Sequence, residues 1–360
     1  MSESAMKSLI QALKSSEADA FLIGSEVNRR YFTGFAATDG WLLVTADGAE
    51  LLMDSRYTEA AQQQARNCTV VAFSNIYETL RERLSAHNAR SMMLEQAKTS
   101  LAEWAMMQRQ LPKIRLIDSP LLDDRITAMR AIKTPAELRS LAQAQALTEE
   151  GFHHMLDYLR PGITERDAAL ELEFYMRKRG AECVAFDFIV VSGEKTSMPH
   201  GVPGDRVISR GDFVTMDTGV VIDGMHSDMT RTVAIGSVSD EQRKVYEIVR
   251  AAQAAGIAAA RAGVNCRDVD AATRKVIDDA GYGPYFGHST GHSVGMEIHE
   301  MPCFSPRSSD VAKENMVITV EPGIYLPGKF GVRIEDLVLV TETGCEVLNR
   351  NDKHWALVGQ

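Results

Sequence analysis

The stretch GDFVTMDTGVVIDGMHSDMTRTVAIG, residues 211–236, predicts a β-hairpin. Two runs of apolar and β-branched residues flank Asp223 and Gly224, and Asp-Gly is a preferred dipeptide for a two-residue type I′ turn. Because such a turn fixes which residues of the two strands face one another, it also predicts the register of the hairpin.

Two aspartates fall on one face of this hairpin. In the predicted register Asp217 faces Thr230 and Asp228 faces Gly219, so the Cβ atoms of the two aspartates lie about 7–8 Å apart unless a bulge intervenes. Carboxylates on an otherwise apolar face are costly to bury unless they are paired or bind a metal. The alternative is a solvated face, or pairing with an arginine such as Arg231.

A second hairpin repeats this arrangement. In MVITVEPGIYLPGKFGVRIEDLVLV, residues 316–340, Glu321 ends an apolar strand, a Pro/Gly-rich turn follows, and Glu335 lies inside the returning strand. A carboxylate again occupies a position where a core residue would be expected.

Histidines are concentrated in GHSTGHSVGMEIHE, residues 287–300, which contains His288, His292 and His299. Their spacing does not show which of them would bind a metal. His200 lies separately in the loop SMPHGVPGD, where it is either an exposed loop residue or a group for proton transfer and oxyanion stabilisation.

The four carboxylates and an imidazole indicate a particular kind of metal site. Oxygen and nitrogen donors without thiolate suit manganese, cobalt, iron or zinc. Four carboxylates carry four negative charges, which two divalent cations would neutralise and one would not. Two ions about 3.5–4 Å apart can activate a shared water and stabilise a tetrahedral intermediate, so the sequence suggests metal-assisted hydrolysis.

Composition narrows the class of protein further. The chain has 360 residues, 45% of them hydrophobic, and a formal charge of −10 without any Lys/Arg-rich run, which argues against nucleic acid or anionic membranes as partners. The N-terminus predicts a helix and a strand and neither a signal peptide nor a membrane span. Five scattered cysteines without a CxxC pair, which we interpret as structural, indicate a reducing compartment and hence the cytoplasm: Cys68, Cys183, Cys266, Cys303 and Cys345.

Two domains are expected. Residues 1–130 alternate short β-rich runs with helical stretches, which is typical of an α/β domain. Thr134, Pro135 and Glu137 in KTPAELRSL form an N-cap, a first helical position and a capping box, so a helix and a second domain, 131–360, begin there.

The second domain contains a faint internal duplication. RPGITERD at 160–167 and RAGVNCRD at 261–268 share Arg, Gly, Arg and Asp, and Gly180 and Gly281 are related by the same offset. Either helix-capping sequences simply resemble one another, or the domain is pseudo-two-fold with its site between the halves.

Five motifs, taken together and in their order along the chain, resemble the pita-bread metallopeptidases: prolidase, aminopeptidase P and methionine aminopeptidase. The motifs are MPHG, TMDTGVVIDGMHSDMTRT, GHSTGHSVGMEIHE, VEPGIY and VRIED. NRRYFTGF and LLMDSRY resemble the creatinase/prolidase amino-terminal domain, which favours the proline-directed branch. The resemblance implies an α/β N-terminal domain followed by an α+β pita-bread catalytic domain with pseudo-two-fold symmetry.

The resemblance also implies roles for individual residues. Arg333 would orient the carboxylates. The non-ligand histidines that bind substrate and stabilise the tetrahedral intermediate would be His200, His288 and His299, and Glu321 would accept the proton of the attacking water. The ligands of two divalent metal ions, with manganese or cobalt favoured and zinc or iron possible, would be Asp217, Asp228, His292, Glu321 and Glu335.

The activity expected from this resemblance is removal of the N-terminal residue that precedes proline, an Xaa-Pro aminopeptidase acting as a homodimer through a hydroxide between the metals. The alternative within the family is a prolidase restricted to Xaa-Pro dipeptides. Two rivals of another class share the fold: a metal-free amidinohydrolase like creatinase, and a non-enzymatic binding module. Retention of all five ligand positions argues against both.

Overall fold

The computed structural model describes residues 3–354 and 356–359. Contacts within the chain separate two units, Met1–Arg130 and Ala131–Gln360. Among the described residues, no helix combines the length and apolar character that a membrane crossing requires.

The first unit is built on a mixed six-stranded sheet with the order β4-β3-β2-β1-β5-β6. Its strands are β1 (Ala20–Ile23), β2 (Trp41–Thr45), β3 (Gly48–Met53), β4 (Thr69–Ala72), β5 (Ser91–Leu94) and β6 (Arg115–Ile117). Its helices are α1 (Glu3–Lys14), α2 (Glu26–Thr33), α3 (Thr58–Gln64), α4 (Ile76–Ala86), α5 (Leu101–Gln110) and α6 (Leu121–Ala131). The α/β alternation predicted for this part of the chain is confirmed.

The second unit begins with the predicted helix. Helix α7 (Pro135–Tyr158) has Thr134 as its N-cap, with Glu137 completing the capping box and Pro135 in the first turn. The further helices are α8 (Glu165–Lys178), α9 (Asp240–Ala259) and α10 (Cys266–Asp279), and short 3-10 helices form at Gly193–Ser197 and Gly283–Tyr285.

The strands of the second unit form several sheets, with the orders β11-β10-β7, β20-β12-β9-β8, β14-β13-β15-β18-β19 and β16-β17. They are β7 (Cys183–Val184), β8 (Ile189–Ser192), β9 (Phe213–Thr218), β10 (Val220–Ile222), β11 (Met225–His226), β12 (Met229–Ile235), β13 (Gly291–Ser293), β14 (Glu300–Phe304), β15 (Val317–Val320), β16 (Gly323–Leu326), β17 (Phe330–Arg333), β18 (Asp336–Val340), β19 (Cys345–Val347) and β20 (Leu357–Val358). Helix and sheet faces share buried clusters, as Leu172 and Met176 of α8 do with Val190 and Met216.

The first hairpin has the predicted turn and register. Asp223 and Gly224 both adopt positive φ, 50° and 78°, as a type I′ turn requires. Thr230 pairs with Asp217 across β12 and β9. Strand pairing is interrupted around Gly219, where a Cβ atom would lie 2.0 Å from the carbonyl oxygen of Ser227, so only glycine fits.

The second hairpin differs from the prediction. The Pro/Gly segment after Glu321 does not turn the chain back; instead a further pair, β16 and β17, extends beyond it and turns at Gly328, which has a φ of 71°. Glu335 consequently lies in a short break between β17 and β18 and not inside a strand. Asp228 occupies the equivalent break between β11 and β12.

The duplication is present in the structure. Helices α8 and α10 begin at 165 and 266 and end at 178 and 279, so the offset seen in the sequence holds at both ends. Each helix has an N-cap side chain, from Thr164 and from Asn265, that accepts a backbone hydrogen bond. Each half of the unit also supplies one of the two carboxylate-bearing hairpins.

Candidate metal centre and substrate cavity

The two hairpins bring the four predicted carboxylates to one cavity of about 650 Å³. Asp217 projects from β9 and Glu321 follows β15, while Asp228 and Glu335 occupy the breaks in the returning strands. Asp228, Glu321 and Glu335 thus lie where strand pairing stops, whereas Asp217 is paired within its sheet, and all four side chains line the cavity. His292, on β13, lines the same cavity.

One nitrogen and several oxygens converge within the cavity. Ligand atoms of Asp228, His292 and Glu335 all lie within 4.8 Å of one another. Nε2 of His292 is 3.5 Å from Oδ2 of Asp228 and 3.5 Å from Oε1 of Glu321. Donors that share a cation at about 2.0–2.2 Å each are separated by roughly 3–4 Å, which matches these distances.

Electrostatics of the cluster favour bound cations. Burial, reinforced by repulsion from neighbouring carboxylates, raises the pKa values of Asp228 and Glu335 well above their ordinary range. Burial raises the pKa of Glu321 to about 8 and lowers the pKa of His292 to about 4. Such carboxylates ionise together only if positive charge compensates them, and a neutral imidazole is a good metal donor.

An unsatisfied atom provides a separate indication. Oδ1 of Asp217 is buried and has no hydrogen-bond partner among the described residues. Its other oxygen, Oδ2, accepts a hydrogen bond of 2.6 Å from Nη2 of Arg333. A buried carboxylate oxygen without a donor suits a cation, so this set of oxygen and nitrogen atoms fits divalent metal ions.

Arg333 connects three parts of the site. Besides Asp217, its Nε donates to the hydroxyl of Thr230 over 3.0 Å, and that hydroxyl donates to Oε2 of Glu335 over 2.6 Å. One guanidinium therefore fixes the orientation of two carboxylates, one from each hairpin.

Tyr325 extends this network to His288. The carbonyl oxygen of Ser289 can only accept, so Nδ1 of His288 carries the proton in their 2.8 Å contact. Nε2 then accepts a hydrogen bond of 2.8 Å from the hydroxyl of Tyr325, which in turn accepts one of 3.0 Å from Nη1 of Arg333. The pKa of His288 is lowered to about 4, first by burial and then by the charge of Arg333, which keeps the ring neutral.

The other two predicted histidines also line the cavity. His200 lies in the loop that follows the Gly193–Ser197 helix, and its side chain is exposed. His299 is exposed as well, and its ring lies edge-on to that of His292 with centroids 4.4 Å apart.

Several lining residues were not expected from the sequence. In the segment FDFIVVSG, residues 186–193, which has the pattern of a core strand, Phe186 and Phe188 line the cavity while Val190 and Val191 are buried. Cys303 lines it too, although we had interpreted the cysteines as structural. All five cysteines are free, and burial raises the pKa of the Cys303 thiol.

The sequence also did not indicate that Thr230 and Tyr325 take part in the site. The only available signal was their position inside two of the motifs quoted above, TMDTGVVIDGMHSDMTRT and VEPGIY. Taken singly, a threonine or a tyrosine in an apolar strand is an ordinary core residue.

Fold and site together define a metallopeptidase of the pita-bread type. The model of the metallopeptidase family M24 matches residues 139–342, and that of the creatinase/prolidase N-terminal domain matches residues 6–132. The chain therefore belongs to metallopeptidase family M24, and it is a peptidase.

Proteins that are named Xaa-Pro dipeptidase or X-Pro aminopeptidase match almost the whole chain. The Xaa-Pro dipeptidase of Pyrococcus furiosus is 35% identical over 97% of this chain and 98% of its own length. Among solved structures, an Xaa-Pro dipeptidase from Bacillus anthracis has a TM-score of 0.94 and 38% identity, covering 99% of both chains. An X-Pro aminopeptidase from Thermotoga maritima has a TM-score of 0.91 and 36% identity, covering 97% of this chain and 100% of its own.

Proposed function

We propose that this protein hydrolyses the peptide bond that precedes proline, with Xaa-Pro dipeptides as its substrates. The observation that carries the proposal is the single cavity in which four carboxylates and three further histidines surround His292 beside an apolar wall. The sequence alone favoured the aminopeptidase. The names of relatives at 35% and 38% identity support the dipeptidase.

Two divalent metal ions belong to this proposal. Asp217, Asp228, His292, Glu321 and Glu335 would hold them, and manganese or cobalt would suit this oxygen-rich set. When bound, such ions supply an activated water and positive charge for the tetrahedral intermediate.

The chain's own residues perform the remaining tasks. Glu321, beside His292, accepts the proton of the attacking water. Its raised pKa of about 8 in the metal-free cluster reflects how strongly the surroundings favour the protonated form. His200 and His299 offer ring N–H groups to the substrate and to the developing oxyanion. Arg333 and Tyr325 hold Asp217 and His288 in place.

The apolar wall accounts for proline. An Xaa-Pro bond is a tertiary amide without an N–H group, so a peptidase that recognises this donor loses a contact. Burial of the pyrrolidine ring offers an alternative source of affinity. Phe186, Phe188, Val202 and Ile298, which line the cavity, supply apolar surface for it.

Cleavage of longer peptides is the second candidate. It is supported by the X-Pro aminopeptidase of Thermotoga maritima, which is 36% identical. It is also supported by Arg333, the only Arg or Lys among the described lining residues, because this side chain already pairs with Asp217 and so does not offer its charge to a substrate carboxylate. A strict dipeptidase would need another donor for the free carboxylate next to the scissile bond, and His200 and His299 are the candidates.

Substrate length and sequence test both candidates together. Metal-loaded protein is incubated with Ala-Pro, with Ala-Pro-Ala and with Ala-Ala. A dipeptidase releases proline from Ala-Pro and leaves the tripeptide intact, whereas an aminopeptidase releases alanine from both proline peptides. Equal turnover of Ala-Ala would overturn the proposed requirement for proline.

Two further proposals concern the state of the enzyme. We expect a homodimer, as the family resemblance implies, which light scattering of the metal-loaded protein tests. The five free cysteines support a reducing compartment, and we place the enzyme in the cytoplasm.

A further inference from the structure

Each of the two duplicated helices, α8 and α10, carries one buried carboxylate outside the candidate metal cluster. Glu165 is the first residue of α8 and Asp270 lies in the second turn of α10. Their exposed fractions are 0% and 1%. Burying an ionised carboxylate is unfavourable unless several donors compensate it, so the partners of these two residues indicate what they do.

Glu165 binds both ends of the loop that carries His200. Oε1 accepts hydrogen bonds from the backbone N–H and the hydroxyl of Ser192, over 2.7 and 2.9 Å. Oε2 accepts from Nζ of Lys195 over 2.7 Å and from the backbone N–H of Gly204 over 3.2 Å. The carboxylate thus joins the segment before His200 to the segment after it.

Asp270 performs the corresponding task for the loop that carries His288. Its Oδ1 accepts from the backbone N–H and the hydroxyl of Thr290, over 3.0 and 2.9 Å. It also binds Arg274, whose guanidinium donates to the carbonyl oxygens of Phe286 and His288 over 2.9 and 2.8 Å. The loop is therefore held on both sides of His288 and at His288 itself.

We propose that Glu165 and Asp270 are paired positioning residues, one in each half of the duplicated domain, and that each fixes the loop of one cavity histidine that is not a metal ligand. The inference rests on the proposed function in one respect, that His200 binds substrate and His288 forms part of the wall of the same site. Neither carboxylate lines the cavity, so each acts through the loop it holds.

Replacing each carboxylate by its isosteric amide distinguishes the positioning of a loop from a general contribution to stability. In Glu165→Gln and in Asp270→Asn the side-chain shape is kept, but an amide NH2 replaces one acceptor oxygen and faces donors. The matched controls are Glu173→Gln on α8 and Asp279→Asn on α10, whose carboxylates pair with Arg177 and Lys275 at the surface. All variants are studied as full-length, metal-loaded protein.

Hydrogen exchange gives a readout that does not depend on activity. We expect E165Q to accelerate amide exchange in residues 193–204 and not in 286–290, and D270N to do the opposite, with both controls resembling the wild type. Acceleration throughout the domain in both variants would overturn the proposal, because the carboxylates would then serve general stability.

Kinetics supply the second readout. Displacing a group by about 1 Å can lower a rate about 100-fold, so we expect kcat for Ala-Pro to fall roughly 10- to 100-fold in each variant while KM changes less and the metal content per chain stays at the wild-type value. Local acceleration of exchange with unchanged kcat, or unchanged exchange in both loops, would overturn the proposal.

A milder variant covers the case in which E165Q does not fold. Lys195→Met leaves Glu165 intact and removes only the loop's charged donor, and we expect a smaller change of the same kind in residues 193–204. Absence of that change would overturn the assignment for Glu165. If instead the wild type fails to cleave Ala-Pro while the exchange pattern appears as expected, the proposed function fails and the positioning of the two loops stands.

Discussion

Nη2 of Arg333 lies 2.6 Å from Oδ2 of Asp217, and the two side chains are only 5% and 14% exposed. This ion pair joins the second hairpin to the first, since Arg333 ends β17 and Asp217 projects from β9. Because Oδ1 of Asp217 has no donor among the described residues, the pair orients one carboxylate oxygen towards the arginine and presents the other to the cavity.

Loss of Arg333 should release Asp217. In Arg333→Met the buried carboxylate loses its counter-charge, a change that typically costs about 3–5 kcal/mol in buried pairs. We expect metal retention after dialysis and activity to fall together. Arg333→Lys keeps the charge but cannot bind Asp217, Thr230 and Tyr325 at once, so it should be only partly active. Wild-type metal retention in R333M would contradict this account of the pair.

Neutralising one of the proposed metal-binding carboxylates should remove metal and activity without unfolding the protein. Glu335→Gln and Asp228→Asn replace one ligand oxygen by an amide, while the hairpins keep their apolar contacts. We expect unchanged circular dichroism, loss of bound metal and loss of Ala-Pro hydrolysis. Glu346→Gln, on the exposed side of β19, is the matched control. Full activity of either variant at defined metal content would remove that residue from the ligand set.

The stability of the metal-free protein should depend on pH with a definite sign. The pKa of Glu321 is raised from 4.5 to about 8, and those of Asp228 and Glu335 are raised as well. A carboxyl group whose pKa is higher in the folded than in the unfolded state binds more protons when folded. Its contribution to stability is therefore complete below about pH 4.5 and is lost as the pH rises through about 8.

Urea unfolding of chelated protein between pH 5 and 9 measures this effect. We expect the free energy of unfolding to fall by a few kcal/mol over that range, at about 1.4 kcal/mol per unit of pKa difference, and metal to abolish the fall. Metal uptake near neutral pH should also release protons, which calorimetry in buffers of different ionisation enthalpy detects. A flat profile for the metal-free protein would show that these carboxyl groups are not perturbed.

His292 and His299 should respond differently to the same substitution, although their rings are 4.4 Å apart. His299→Ala should keep its metal and lose about 10²–10³ in kcat, because it removes one donor to the transition state. His292→Ala should lose metal as well as activity, since it removes the nitrogen ligand. Metal analysis beside steady-state kinetics separates the two; metal loss from H299A would make His299 a ligand.

The sequence predicted those features that depend on neighbouring residues. The register that places Asp217 opposite Thr230 follows from the conformation of Asp223 and Gly224 alone, and the start of α7 follows from Thr134 and Pro135. The same reasoning from neighbouring residues gave a wrong position for the turn of the second hairpin. The segment after Glu321 has the composition of a turn, but the chain continues into β16 and β17.

Features that depend on distant contacts could not be predicted in this way. The function of Tyr325 lies in hydrogen bonds to His288 and Arg333, and nothing in a single apolar strand indicates them. Glu165 and Asp270 are likewise ordinary acidic residues of helices in the sequence, at the start and in the second turn. Only the folded chain shows that each one binds a loop that carries a histidine.

The central claim is that the carboxylate and histidine cluster hydrolyses Xaa-Pro bonds with bound metal. Its most direct test is proline release from Ala-Pro by protein that has been freed of metal by chelation and then supplied with Mn²⁺, Co²⁺ or Zn²⁺. We predict no release from the metal-free protein, restored release as two ions bind per chain, and no restoration in E335Q. Release that persists without metal, or no release with any of the three ions, would contradict the account.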